Sequence, residues 1–374
     1  MAITGSRYEL SYVPELDGLR GVAILAVILF HANVSFLGGG FIGVDIFFVL
    51  SGFLITSLLI EEFEHTGSVS LKHFYMRRIL RLGPALLLLL VVFCIVGLIF
   101  LGEEKAIANL VDALIALAYL SNWARAFDLH PPDFLGHTWS LSIEEQFYIL
   151  WPIVLVTLLR INKNRWVVVF FAAVVALISW FLRILMAMND VSVERLYNGL
   201  DTRADALMVG CVLGILTSSR LISERAKDIL AQWLKYVALS FMICLLGFFV
   251  FSEWQDLRMY YFGFFAVEFF AVTLIFDIMI NKKSIIGKIL AMRWLVWVGS
   301  ISYGLYLWHY PIFRTMIALG YNSLAVILIG TFVTFVVATS SYYFLERPIL
   351  KFKKSYDSII PNEKYCSTNI LVSS

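Results

Sequence analysis

The chain has 374 residues, of which 60% are hydrophobic and only 15% charged, with a mean hydropathy of +0.84 and a net charge of +2. A soluble domain carries about 25% charged residues, so this composition excludes an ordinary soluble protein and points to a polytopic membrane protein. The near-neutral balance gives no footprint for a nucleic-acid partner. The four cysteines follow neither a CxxC nor a Cys/His spacing, so neither a disulfide framework nor a metal site is expected.

In chain order, apolar runs of spanning length occur near 18–36, 40–60, 82–101, 106–121, 141–159, 166–188, 204–219, 234–252, 260–280, 296–319 and 323–345. The N-terminus lacks a basic segment followed by a small-residue cleavage site, so the first helix reads as a retained signal anchor. Lysine and arginine favour the cytoplasmic side, and they concentrate in 61–81, 160–165, 220–233, 281–295 and at Lys351, Lys353 and Lys354. All of these fall on one side only if one of the segments 106–121 and 141–159 fails to cross. The first is short and holds Asp112; the second opens with Glu144 and Glu145. The expected fold is all-α: a transmembrane bundle of about ten spans plus one partial or re-entrant segment, both termini cytoplasmic. The bundle would occupy residues 1–352, followed by a short cytoplasmic tail, 353–374.

The polar residues inside these runs are the candidates for function, because ionisable groups at membrane depth are costly and usually face a cavity. Arg20 and His31 are eleven residues apart in the first run, which returns them to nearly one helix face about 16 Å apart. A short Gly38–Gly40 hinge separates that run from the next, which contains Asp45. A lone membrane histidine reads equally as an interhelical hydrogen bond; with Arg20 and Asp45 nearby, His31 reads as a proton acceptor. FYMRRILRLGP, 74–84, places Arg77, Arg78 and Arg81 before a membrane helix. Such a cluster is a stop-transfer flank, a phospholipid contact or a phosphate clamp.

In GHTWSLSIEEQFYILWP, 136–152, a helix aligns His137, Leu141, Glu144 and Tyr148. Trp139, Tyr148 and Trp151 read as interface anchors, Glu144 as a proton acceptor or imidazole orienter, and Glu145 as solvated. DTRADALMVGCVLG, 201–214, sets Asp201, Arg203 and Asp205 at a helix mouth, either as an entry cap with a local ion pair or facing the cavity. In SISYGLYLWHYPI, 300–312, Ser302, Tyr306 and His309 share a stripe; the first two could donate into a cavity, while His309 reads as structural. LERP, 345–348, reads as a boundary with a buried ion pair, and Glu268 and Asp277 are apolar-run carboxylates without an evident partner.

Taken in order, LDGLRGVAILAVILFH, FIGVDIFFVLSGFLIT, FYMRRILRLGP, HTWSLSIEEQFYILWP, DTRADALMVG, ISYGLYLWHYP and LERP closely resemble the acyltransferase-3 family of integral membrane O-acyltransferases, over about residues 12–350. The resemblance implies a ten-helix domain that transfers an acyl group, most often acetyl from acetyl-CoA, to a hydroxyl of a sugar, glycolipid, polysaccharide precursor or small molecule. It implies acyl-CoA as co-substrate, no bound cofactor and no metal. Its partners would be the glycan or glycolipid acceptor and the lipid bilayer of the inner cell membrane. It makes His31 the essential histidine with Arg20 its motif partner, Arg77, Arg78 and Arg81 the acyl-CoA-binding motif, and Glu144 the acidic position. Asp17, Asp45, Arg203, Asp205, Ser302 and Tyr306 are expected to line the polar cavity. Many family members append a hydrolase-like domain; without one here, a stand-alone enzyme is expected. The competing reading is a proton-coupled transporter, against which stand the lack of mirrored halves and of paired Gly/Pro-broken helices.

Overall fold

A computed structural model describes residues 12–100, 102–281 and 284–352; Lys282, Lys283 and the expected tail, 353–374, lie outside the described residues. The described chain is helical throughout, without strands. In a bilayer the backbone of an apolar run can satisfy its hydrogen bonds only internally, and that requirement turns each long run into a helix. Among the described residues, seven helices are long and apolar enough to cross a membrane: α2 (Gly40–Thr66), α3 (Leu71–Phe100), α6 (Thr138–Ile161), α7 (Arg165–Met188), α10 (Glu224–Phe251), α11 (Met259–Ile280) and α15 (Ser323–Leu350). The others are shorter or carry more charge. They are α1 (Pro14–His31), α4 (Glu103–Leu117), α5 (Ser121–Ala126), α8 (Val193–Asn198), α9 (Leu200–Ser218), α12 (Ile285–Leu290), α13 (Arg293–Ser300) and α14 (Ser302–Ala318).

Segment 141–159 therefore lies inside one of the seven, α6, whereas 106–121 is divided between α4 and α5. Helix α4 packs along α3 and ends before Tyr119, which adopts φ 53°. Gln146 Nε2 donates to the Tyr119 carbonyl at 2.8 Å, pinning this left-handed turn to α6. After α5 the chain returns to α4: His130 Nε2 lies 2.9 Å from Asp112 Oδ1.

The core is built on two seams of small residues, which let helix backbones approach closely. Along α1, a Cβ on Gly18 would sit 1.8 Å from the Leu290 carbonyl, and one on Gly299 would sit 1.8 Å from that of Asp17. This clamps α1 against α12 and α13. Between α2 and α9, a Cβ on Gly52 would sit 1.9 Å from the Leu207 carbonyl, and one on Gly210 would sit 2.1 Å from that of Val49. Both α2 and α9 are consequently buried in the middle of the bundle, while the large exposed apolar side chains of α3, α7, α10 and α15 form its periphery.

Two sequence readings change here. Trp139, Tyr148 and Trp151 are buried rather than interfacial; Trp151 donates to Thr56 Oγ1 at 2.8 Å, fixing α6 to α2. In LERP, Glu346 accepts from Ser341 Oγ at 3.1 Å and Arg347 lies over the Tyr343 ring, rather than the two pairing with each other.

Candidate active site

The polar residues of the bundle form three groups. The first lines a cavity between α1, α2, α3, α6 and α14. Arg20, Arg78, Arg81, Glu144 and Glu145 supply its charged groups, Tyr119, Tyr148, Tyr303 and Tyr306 its phenols, Ser140 and Ser302 its other hydroxyls, and Val44, Phe47 and Phe48 part of an apolar wall. The α1–α13 seam sets the position of Arg20, which also lies 3.7 Å from Asp17 one turn earlier. The 136–152 segment presents one face to the cavity, as its helical spacing requires. Tyr148 OH donates to Ser51 Oγ at 2.9 Å and Ser51 Oγ donates to Glu144 Oε1 at 2.5 Å, which holds the carboxylate facing inward. The Arg78 guanidinium lies 4.7 Å from the Tyr148 ring centroid. Glu145 lines the cavity too, instead of facing water. Arg77 points elsewhere: its Nη2 lies 3.3 Å from Glu62 Oε2, on α2.

The second group is a cluster of imidazoles at the other end of α1. His31 and His309 have ring centroids 5.0 Å apart, and His309 Nε2 is 3.2 Å from His31 Nδ1. The His137 ring lies 5.6 Å from that of His309, and both His31 and His137 lie 5.0 Å from Tyr310. Tyr306 stands between this cluster and the cavity. Its hydroxyl donates to the His137 carbonyl at 2.9 Å and shares a 2.6 Å hydrogen bond with Ser140 Oγ. The structure therefore does not bring Arg20 and His31 to one point: eleven helical residues keep them about 16 Å apart, and His31 is not among the cavity-lining residues.

The third group lies apart from the cavity. Arg203 pairs with Asp45, and Arg183 lies 2.6 Å from Asp205, all four side chains being fully buried. The Arg203 guanidinium sits 3.8 Å from the Phe264 ring centroid. Glu268, also fully buried, has no hydrogen-bond partner on either carboxylate oxygen among the described residues. Asp45, Arg203 and Asp205 are thus paired inside the α2–α7–α9–α11 packing and do not line the cavity. Asp201 pairs with Arg195 of α8, at 2.5 Å, and not with Arg203. Asp277 accepts from Asn281 at 2.6 Å. Among the described residues, no group of His, Cys, Asp and Glu is arranged to hold a metal ion.

Sequence reasoning missed Arg183, Ser51 and the placement of His309. Arg183 had a signal, a single arginine within the apolar run 166–188; Ser51 had none.

A multi-pass helical membrane bundle is what the family comparison also indicates. The acyltransferase domain profile Acyl_transf_3 matches residues 13–343. The chain belongs to the acyltransferase-3 family. It is 37% identical to the O-acetyltransferase OatA of Staphylococcus aureus strain NCTC 8325 / PS 47 over 367 residues, covering 96% of this chain and 60% of that protein. It is 35% identical to a putative O-acetyltransferase of S. aureus strain COL, covering 92% of this chain and 58% of that protein. The chain thus spans about three-fifths of the length of these acyltransferase-3 relatives. No solved structure matches it.

Proposed function

We propose that the chain is a membrane O-acyltransferase that moves an acyl group, acetyl in the simplest case, from cytoplasmic acyl-CoA to a hydroxyl of a glycan, glycolipid, polysaccharide precursor or related small molecule. The observation that carries this reading is the cavity that gathers Arg20, Arg78 and Arg81 beside α1, the helix that ends in the His31–His309 pair. Guanidinium groups match phosphate oxygens in charge and geometry, so the three arginines hold the CoA phosphates. The pantetheine arm then extends along α1 toward His31, past Tyr306. Sequence reasoning offered Arg20, Ser302 or Tyr306 as the group that stabilises the developing oxyanion. Arg20 is too far from His31 for that role, and Tyr306 stands nearest to the imidazoles.

In the reaction, His31 Nε2 takes the acceptor hydroxyl's proton as the hydroxyl oxygen attacks the thioester carbonyl. The C–S bond breaks, and the departing CoA thiolate recovers that proton from His31. General-base assistance of this kind contributes about 10²–10⁴-fold. Glu144, held by Ser51, balances the arginine charge when the cavity is empty.

We further infer that α1, α9 and α14 cross the bilayer with the seven apolar helices, making ten spans, with α4–α5 as the re-entrant hairpin. Both termini and the 353–374 tail would then be cytoplasmic. This arrangement puts Arg160, Lys163, Arg165, Arg220, Arg225, Lys288 and Arg293 on the cytoplasmic side. It opens the arginine-lined end of the bundle to the CoA pool and sets the imidazoles near the far face of the inner membrane. A proton-coupled carrier is disfavoured by membership of an acyltransferase family. The test is CoA release from acetyl-CoA by the purified protein in nanodiscs, with and without a glycan acceptor. Acceptor-dependent thiol release supports the proposal; transport of a solute without thiol release refutes it.

A further inference from the structure

The hydrogen bonds around His309 determine which nitrogen of His31 is free. His309 Nδ1 lies 2.6 Å from the Tyr306 carbonyl and 3.1 Å from that of Leu305. Carbonyl oxygens only accept, so His309 Nδ1 carries the hydrogen. A neutral imidazole has a single N–H, which leaves His309 Nε2 as a lone-pair acceptor. His31 Nδ1 faces two acceptors, that nitrogen at 3.2 Å and the Val27 carbonyl at 3.0 Å. It therefore carries the hydrogen, and His31 Nε2 is the basic nitrogen. These tautomers are assigned from the hydrogen-bond network, as heavy-atom positions require.

We propose that His309 is a positioning residue for His31: its Nε2 accepts the Nδ1–H of His31, anchoring that ring to α14 and sharing the positive charge it gains when Nε2 takes a proton. The Val27 carbonyl belongs to the same helix as His31 and cannot orient the ring relative to the rest of the site. His309 can, because α14 also carries the cavity residues Ser302 and Tyr306. The chain from the Tyr306 carbonyl through His309 to His31 therefore couples the wall of the cavity to the aim of the base. In this role His309 corresponds to the group that orients the histidine of a nucleophile–base–orienter arrangement. His309 is fully buried and does not line the cavity, so it acts through His31 and not on the donor. This inference rests on the acyl-transfer reading given above.

The test compares His309→Leu, which removes the acceptor, with His309→Gln, whose amide oxygen reaches about as far as Nε2. Both are purified beside the unmodified protein and His31→Ala, and acetyl transfer is followed as CoA release. The expected result is a roughly 10–100-fold fall in kcat for the Leu variant with KM for acetyl-CoA within about twofold, a share of the about 10²–10⁴-fold effect of the base itself. The Gln variant should recover kcat to within about fivefold of the unmodified protein. Equal losses in the Leu and Gln variants, or full activity in both, would overturn the role of His309 while leaving the His31 reading intact. Full activity in His31→Ala would instead remove the reading on which this inference depends. Acetyl-CoA protection of each variant against thermal unfolding separates a folded, slow enzyme from a misfolded one.

Discussion

Asp45 and Arg203 read from the sequence as cavity residues, yet the structure pairs them in a fully buried part of the bundle away from the cavity. Replacing Asp45 by Ala then leaves a fully buried guanidinium without its counter-ion. Breaking a buried pair by removing one partner costs about 3–5 kcal/mol. The Phe264 ring, 3.8 Å from the guanidinium, and the Tyr197 ring, 5.3 Å away, touch Arg203 with or without Asp45 and so leave that cost unchanged. The loss of about 3–5 kcal/mol corresponds to a fall of several degrees in melting temperature. The double variant Asp45→Leu/Arg203→Met removes both charges and should regain most of the loss, because an apolar pair of similar volume is often neutral or stabilising. The assay is thermal unfolding of detergent-solubilised protein, read as loss of the monodisperse peak, together with KM for acetyl-CoA. A tenfold rise in KM for Asp45→Ala at unchanged melting temperature would refute the reasoning, since it would mean that Asp45 meets the donor.

Further outcomes follow from the same geometry. Arg78→Ala and Arg81→Ala should each raise KM for acetyl-CoA about 10–100-fold, the effect of losing a charge-assisted hydrogen bond of about 1.5–3 kcal/mol, whereas Arg77→Ala, whose side chain faces Glu62, should leave KM within about twofold. Raising salt should weaken donor binding in the unmodified protein and weaken it less in Arg81→Ala, checked by titration at several ionic strengths. Gly299→Ala places a Cβ 1.8 Å from the Asp17 carbonyl; it should separate α13 from α1, displace Arg20 and lower both melting temperature and activity, while Gly102→Ala, whose Cβ meets nothing within 4 Å, should change neither. Ser51→Ala removes the hydroxyl that donates to Glu144 and accepts from Tyr148, and should reduce activity with little change in stability, measured by CoA release and thermal unfolding.

The parts of this arrangement legible in the sequence are those written within one helix. The spacing of His137, Leu141, Glu144 and Tyr148 places them on one face; the last three line the cavity, while His137 joins the imidazole cluster. In the α14 stripe of Ser302, Tyr306 and His309, the first two line the cavity and His309 reaches His31 instead. Periodicity cannot show which helix faces which, and for that reason the pairs formed across the chain were not visible. Asp45 and Arg203 are 158 residues apart and His31 and His309 are 278 apart. Their meeting depends on helix register, which the close approaches at Gly52, Gly210, Gly18 and Gly299 set by steric exclusion. The arginine cluster shows the same limit at short range: one turn of helix separates Arg77 from Arg81, yet one faces Glu62 and the other the cavity. Of the two doubtful segments, α6 is the longer and more apolar because its acidic pair is a local feature at the start of an otherwise apolar run, whereas the 106–121 run is ended early by the left-handed turn at Tyr119.

The most direct test of the account is acceptor-dependent CoA release from acetyl-CoA by His31→Ala in nanodiscs, set beside donor binding by the same preparation. The account predicts that acetyl-CoA binding persists, held by the arginines at the far end of α1, while turnover falls at least about 100-fold. Near-normal turnover in that variant would contradict it.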